Sequence, residues 1–153
     1  MYLLDTNVVS ELRKVNAGKA DPGVAAWQAS VEQADCFISV VTLMELEIGV
    51  LRIERRDAGQ GMLLRIWLEQ QVAPTFSGRV LPIGEPEARR CARLHVPDQS
   101  PERDALIAAT ALTHGLILVT RNVADFDATG VTLLNPWQPP RALHESASHY
   151  QAT

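Results

Sequence analysis

Cysteine is nearly absent from this chain. Cys36 and Cys91 are the two in 153 residues, and they form no C-x-x-C pair. A disulfide framework and a cysteine zinc cluster are therefore excluded, and two buried thiols in a reducing cytoplasm are expected. Long apolar runs are missing too. The longest uncharged stretch, Ala105 to Thr120, is broken by His114 and Gly115. It falls short of the roughly 20 apolar residues that a membrane span requires. The first residues carry neither a basic patch nor an apolar core of signal-peptide length, so no secretory leader is expected. Net positive charge is lacking as well: the formal charge is −4. A purely electrostatic nucleic-acid binder would be strongly basic. Lysine is scarce, because 12 of the 14 basic residues are arginine, with only Lys14 and Lys19 as exceptions. Arginine's planar fork suits phosphate or carboxylate. The clusters Arg52, Arg55, Arg56 and Arg89, Arg90, Arg93 also read simply as solvated helix faces. No H-E-x-x-H, P-loop, G-x-G-x-x-G or G-x-S-x-G motif occurs. The four histidines form no rival site: His95 and His114 fall near helix ends, and His144 and His149 lie in the tail.

What is present is an alternation of short apolar runs with longer helical patterns. Residues 2–4, 36–40, 80–83, 116–119 and 131–134 read as strands. Asp21-Pro22 opens a helix, as N-cap and first helical residue, with Val24, Trp27 and Val31 on one face. Thr42 opens the next, which runs to about Asp57. A turn over Asp57-Ala-Gly-Gln-Gly61 precedes a third, carrying Leu63, Ile66 and Trp67. Pro86 to His95 is a fourth. A fifth, opened by Ser100-Pro101, ends at Gly115 as a left-handed cap. Strands alternating with helices predict right-handed crossovers and an α/β fold with a parallel sheet covered on both faces. The tail, 138–153, has little periodicity and reads as a partly ordered arm.

Acids recur where this pattern places strand ends and helix starts. Asp5 ends the first strand, and ligands of open parallel sheets bind outside the carboxyl ends of strands; its plainer role is a helix N-cap. Glu45 stands three residues after Thr42, which spells a capping box. It also lies just past the second strand, and Gly49 leaves open space beside it. Asp104 enters the first turn of an apolar helix whose cap is assigned to Ser100. A carboxylate there needs a partner or serves only the helix dipole. Asn122 and Asp125 follow the fourth strand, where the plainer role is a capped turn. Gathered in one pocket, four acids would repel and raise one another's pKa. Cations would then be required. Oxygen ligands without paired histidine or cysteine favour Mg²⁺ or Mn²⁺ over zinc. Two such ions, about 3.5–4 Å apart, can flank a phosphodiester, one activating water and one steadying the leaving 3′-oxygen.

Four stretches in order carry a specific resemblance. They are MYLLDTNVVSELRK, ISVVTLMELEIGV, RDALIAATALTHGLILVTRNVADF, and Asn135-Pro136 after a short strand. Over Met1 to Trp137 the chain resembles PIN-domain ribonucleases, most closely the VapC and FitB-like toxins of bacterial toxin–antitoxin pairs. The resemblance implies an α/β/α sandwich around a five-stranded parallel sheet, with a PIN domain over 1–137. It also implies Mg²⁺- or Mn²⁺-dependent hydrolysis of RNA. Asp5, Glu45 and Asp104 match the acids of that family's motifs. Asp125 is taken as the fourth catalytic and metal-binding acid. Asn122 replaces it directly or holds a metal-bound water. Thr6, Asn7, Thr120 and Arg121 complete the motifs, and Thr6 and Thr120 are candidates to hydrogen-bond the acids.

A further implication is a homodimeric, cytoplasmic toxin neutralised by a small antitoxin, through which the pair reaches operator DNA. Leu46, Val50, Ile53, Leu63 and Trp67 are candidates for an antitoxin groove, or for internal packing. Trp27 and Trp137 read as core or edge packing rather than as RNA-stacking platforms. Two alternatives remain at this point: a housekeeping RNA-processing nuclease of the same fold, and a non-catalytic PIN interaction module. All four acidic positions are filled, which argues against the module.

Overall fold

The structure is a computed structural model that describes residues 1–138 and 143–144. Five short strands are parallel: β1 Tyr2–Leu4, β2 Cys36–Ser39, β3 Val80–Leu81, β4 Ile117–Val119 and β5 Leu133–Leu134. Their order is β3-β2-β1-β4-β5, so the chain's first strand lies at the centre. A sixth strand, Leu143–His144, pairs antiparallel with β5 at the edge. The expected partly ordered arm otherwise falls on residues 139–142 and 145–153, outside the described residues.

Both faces of the sheet are buried, and successive residues divide between them as strand geometry requires. Leu4, Ile38 and Val119 point into one core, packed by Val8 and Val9 of α1 (Thr6–Leu12), Leu46 and Val50 of α3 (Val40–Arg56), and Leu68, Val72 and Phe76. Leu3, Leu118 and Leu133 point into the other, packed by Ile107, Ala108 and Ala111 of α7 (Glu102–His114) together with Phe126. Between these lie α2 (Pro22–Ser30), α4 (Ala58–Trp67), a π-helical turn over Leu68–Val72 running into α5 (Ala73–Thr75), α6 (Glu85–Leu94) and α8 (Val123–Phe126).

Three helix starts differ from the sequence reading. The second strand passes into α3 without a linker. Ser39, the last strand residue, is the N-cap, and its hydroxyl accepts from Val41 N at 3.0 Å. Thr42 is therefore fully buried inside the helix, with no partner for its hydroxyl among the described residues. The Thr42–Glu45 capping box does not exist. Asp57-Ala-Gly-Gln-Gly61 is not a turn either. Asp57 caps α4, accepting from Gln60 N at 3.1 Å, and Gly61 lies inside that helix. A Cβ on Gly61 would stand 2.4 Å from Glu54 Cα, so the absent side chain is what lets α4 approach α3. Finally, Pro101 rather than Ser100 is the N-cap of α7; the Ser100 hydroxyl donates to the Leu94 carbonyl instead. Gly115 ends α7 in the left-handed region, φ +65°, as expected.

Candidate active site

The topology brings the ends of β1 and β4 side by side, and the starts of α3 and α7 come close to them. Asp5 follows β1 and is 7% exposed. It is the N-cap of α1, with Oδ1 accepting from Thr6 N at 2.8 Å. Its other oxygen accepts from the Thr120 hydroxyl at 2.8 Å and from Asn7 Nδ2 at 3.3 Å. Capping thus uses one oxygen of Asp5 and leaves the second turned toward the strand ends. Glu45, one turn into α3, is reached by the Thr6 hydroxyl at 2.7 Å. Arg103, the residue before Asp104, lies 3.8 Å from its second oxygen. Asn7 ties the cluster to the β4 end, because its Oδ1 accepts from Arg121 N at 3.2 Å. Thr120 also accepts from Asn122 N at 3.1 Å, so one hydroxyl bridges Asp5 and the turn after β4.

The electrostatics are those of crowded acids. Burial pushes the Asp5 carboxyl above its ordinary pKa. The Thr120 and Thr6 hydrogen bonds oppose that rise, and the neighbouring Glu45 charge adds to it. Burial likewise pushes Asp104 up, and Asp5, Asp125 and Glu45 each push it further. Asp104 has no hydrogen-bond donor or ion-pair partner among the described residues. It is a half-buried carboxylate in the field of three others. Asp125 is exposed on α8 and acts on Asp104 through its field. Asn122 is exposed and precedes α8 without a side-chain capping bond.

The structure therefore gathers Asp5, Glu45, Asp104, Thr6, Asn7 and Thr120 around one sheet edge, with Asp125, Arg121 and Asn122 at its rim. Among the described residues, however, no group of three or more acids, histidines and cysteines already stands in a ligating arrangement. Glu45 is drawn instead to Thr6 and Arg103. The sequence reading overlooked Arg103. Its adjacency to Asp104 was the available signal, but its reach to Glu45 is a tertiary fact. It named Asn135 as part of the fourth stretch but gave it no role; Asn135 is 5% exposed, its Nδ2 donates to the Arg121 carbonyl at 3.4 Å, and its Oδ1 accepts from Trp137 N at 2.9 Å.

A model of the PIN domain matches residues 2–131. The chain belongs to the PIN-domain family. It is 35% identical over 147 residues to VapC ribonuclease Y4jK of Sinorhizobium fredii, covering 91% of this chain and 99% of that one. It is 36% identical over 143 residues to Toxin FitB of Neisseria gonorrhoeae, covering 90% and 99%. A structure of FitAB bound to an IR36 DNA fragment superposes with a TM-score of 0.81 at 33% identity, covering 90% of this chain and 96% of that one. A toxin–antitoxin complex from Klebsiella pneumoniae does so at 0.60 and 27%, covering 89% and 98%.

The expected antitoxin groove is only partly a groove. Leu46 and Val50 are core residues, and Trp67 is half-buried against the same core. The apolar side chains left in solvent are Val40, Met44 and Leu51 of α3 and Met62, Leu63 and Ile66 of α4. Beside them Val40, Leu43, Met44 and Leu68 wall a cleft of about 450 Å³, with Glu47 and Glu69 at its lip. The arginine clusters at 52–56 and 89–93 are exposed on their helices, as solvated faces. No helix among the described residues is long and apolar enough to cross a membrane.

Proposed function

We propose that this chain is a divalent-metal-dependent endoribonuclease toxin, restrained by a cognate antitoxin. The observation that carries the proposal is the convergence of acids at the strand ends: Thr6 bonds both Asp5 and Glu45, Thr120 bonds Asp5, Arg103 reaches Glu45, and the adjacent Asp104 has no donor among the described residues and lies in the field of the other acids. Such a donor set, all hard oxygen, fits Mg²⁺ or Mn²⁺. Asp5, Glu45, Asp104 and Asp125 would hold the ion. Bound there, it would lower the pKa of water and neutralise phosphate charge. The chain's own residues prepare the site. Thr120 and Asn7 fix the Asp5 carboxylate from behind, and Thr6 N anchors its other oxygen. The Thr6 hydroxyl orients Glu45. Arg103 offsets part of the Glu45 charge, easing repulsion within the cluster.

The relatives named a ribonuclease and a toxin support RNA as substrate, and the FitAB and Klebsiella complexes support an antitoxin partner with operator DNA reached through it. The exposed apolar face of α3 and α4 is the surface assigned to the antitoxin. A homodimer, a cytoplasmic location and a PIN unit ending at about residue 137 belong to the same reading. The decisive experiment is cleavage-site mapping on total RNA with purified protein in Mg²⁺, Mn²⁺ and chelator. Discrete, metal-dependent cuts that vanish in Asp5→Asn are expected. Intact RNA in both metals would sink the proposal.

A further inference from the structure

Beside the acids lies a second cleft, of about 330 Å³, and its lining is unlike that of the α3–α4 face. Its walls include Asn7, Arg13, Trp67, Arg121 and Trp137. The two indoles are half-buried against the first core, which fixes their planes. Each carries a guanidinium: the central carbon of Arg121 is 5.3 Å from the Trp137 ring centroid, and that of Arg13 is 6.0 Å from the Trp67 centroid. Neither arginine has an ion-pair partner among the described residues. The cleft also holds Lys14, but Glu11 neutralises it at 3.1 Å. Glu11 in turn is held ionised, its pKa lowered first by the Asp21 N–H and then by Lys14. The positive charge without a direct ion pair is therefore on the two stacked arginines, with Glu11 acting on Arg121 only at longer range.

The pairing with Trp137 is built rather than incidental. Asn135 holds the Arg121 carbonyl and the Trp137 N–H from one side chain. Asn7 holds the Arg121 N–H and, through its other end, Asp5. One network of side-chain bonds to the backbone on either side thus fixes the distance between the stacked pair and the acid cluster.

We propose that this cleft seats a single-stranded stretch of the RNA beside the scissile bond, with Trp137 and Trp67 stacking unpaired bases and Arg121 and Arg13 taking the flanking phosphates. This rests on the nuclease reading and names what that site accepts. An indole face serves any base, and a guanidinium fork matches a phosphate. A duplex offers neither an exposed base face nor a strand narrow enough for the gap. In the free protein the guanidinium covers the indole by cation–π attraction; an incoming base takes that face and releases the fork to phosphate.

The test measures binding of a short fluorescein-labelled single-stranded RNA, and of the same sequence as a duplex, in Mg²⁺. It uses full-length protein carrying Asp104→Asn so that the RNA stays whole. Single strand is expected to bind well ahead of duplex. Trp137→Ala should weaken it by about tenfold. Arg121→Glu, whose exposed side chain has no core contact to lose, should weaken it comparably and flatten the salt dependence. Unchanged RNA affinity in both variants, or equal binding of duplex, overturns the proposal and leaves the cleft to a protein partner. The two readings fail separately. Wild-type protein that cleaves RNA while the variants bind normally sinks the cleft alone. Protein that binds single strands through these residues yet cleaves nothing sinks the nuclease alone.

Discussion

The proposed site turns on Asp104, because no described residue pairs with it. In the metal-free protein Asp5 and Asp104 both titrate above their ordinary value of 3.8. Between that value and their raised ones, the folded chain holds protons that the unfolded chain has released. Stability must therefore fall as pH rises through this window, and rise as pH is lowered from neutrality. Glu11, Glu54 and Glu87, all held below their ordinary value of 4.5 by hydrogen bonds, work the other way and lose their contribution as pH falls below it, so stability passes through a maximum. Melting curves in chelator at a series of pH values should show that maximum on the acid side of neutral. Asp104→Asn should raise the metal-free melting temperature near neutral pH by about 2 °C and flatten the acid-side rise, while abolishing cleavage. A large fall in stability would make Asp104 a structural residue. Asparagine is also the right replacement at Asp5, because it keeps the cap on α1 while removing the charge.

At the scale of elements, the start of α3 decides where Glu45 points. The stretch from Phe37 to Val41 is apolar apart from Ser39, so hydrophobic periodicity does not mark where period two gives way to period 3.6. Ser39 and Thr42 both fit a cap, and the spacing to Glu45 favoured the wrong one. Calorimetry on two variants distinguishes them. Ser39→Ala should cost about 1 kcal/mol, lowering the melting temperature by about 3 °C. Thr42→Val should be neutral or stabilising by up to about 1 kcal/mol, since it removes a buried hydroxyl that has no partner. The opposite ranking would restore the capping box. Gly61 was misread for a related reason. Glycine in a polar stretch signals a turn locally, but here it answers to the Glu54 backbone on the neighbouring helix. Across that same contact Arg65 of α4 holds Glu54 at 3.0 Å and Glu47 at 2.7 Å, clamping the helix pair whose outer face is left apolar. Leu46 and Val50 entered the expected groove because a helical pattern gives a stripe, not the direction in which the stripe faces.

For the whole molecule, the parallel sheet, the order of elements and the gathering of Asp5, Glu45 and Asp104 at strand ends were legible from alternation and from the rule for open sheets. What was not legible were contacts spanning most of the chain, such as Thr120 to Asp5 or Arg103 to Glu45. Sequence alone also missed the edge strand Leu143–His144. If the acids act together on a cation, Mn²⁺ should stabilise the fold by mass action, by about 2.7 kcal/mol at a hundredfold excess over its Kd. Thermal denaturation across a Mn²⁺ titration reads this directly, and Asp5→Asn should blunt it. A flat titration would count against a metal centre of any kind.

β1 sits between β2 and β4, and Asp5 is gripped by Thr120. β1 precedes every other strand in the sequence yet lies in the middle of the sheet, and one of its two neighbours, β4, follows only after more than a hundred further residues. A nascent polypeptide cannot build this centre progressively. Translation that stalls before Ile117 would yield a fragment with its central strand bare on one side and its acids unassembled, so the ability to cut would arrive late and all at once.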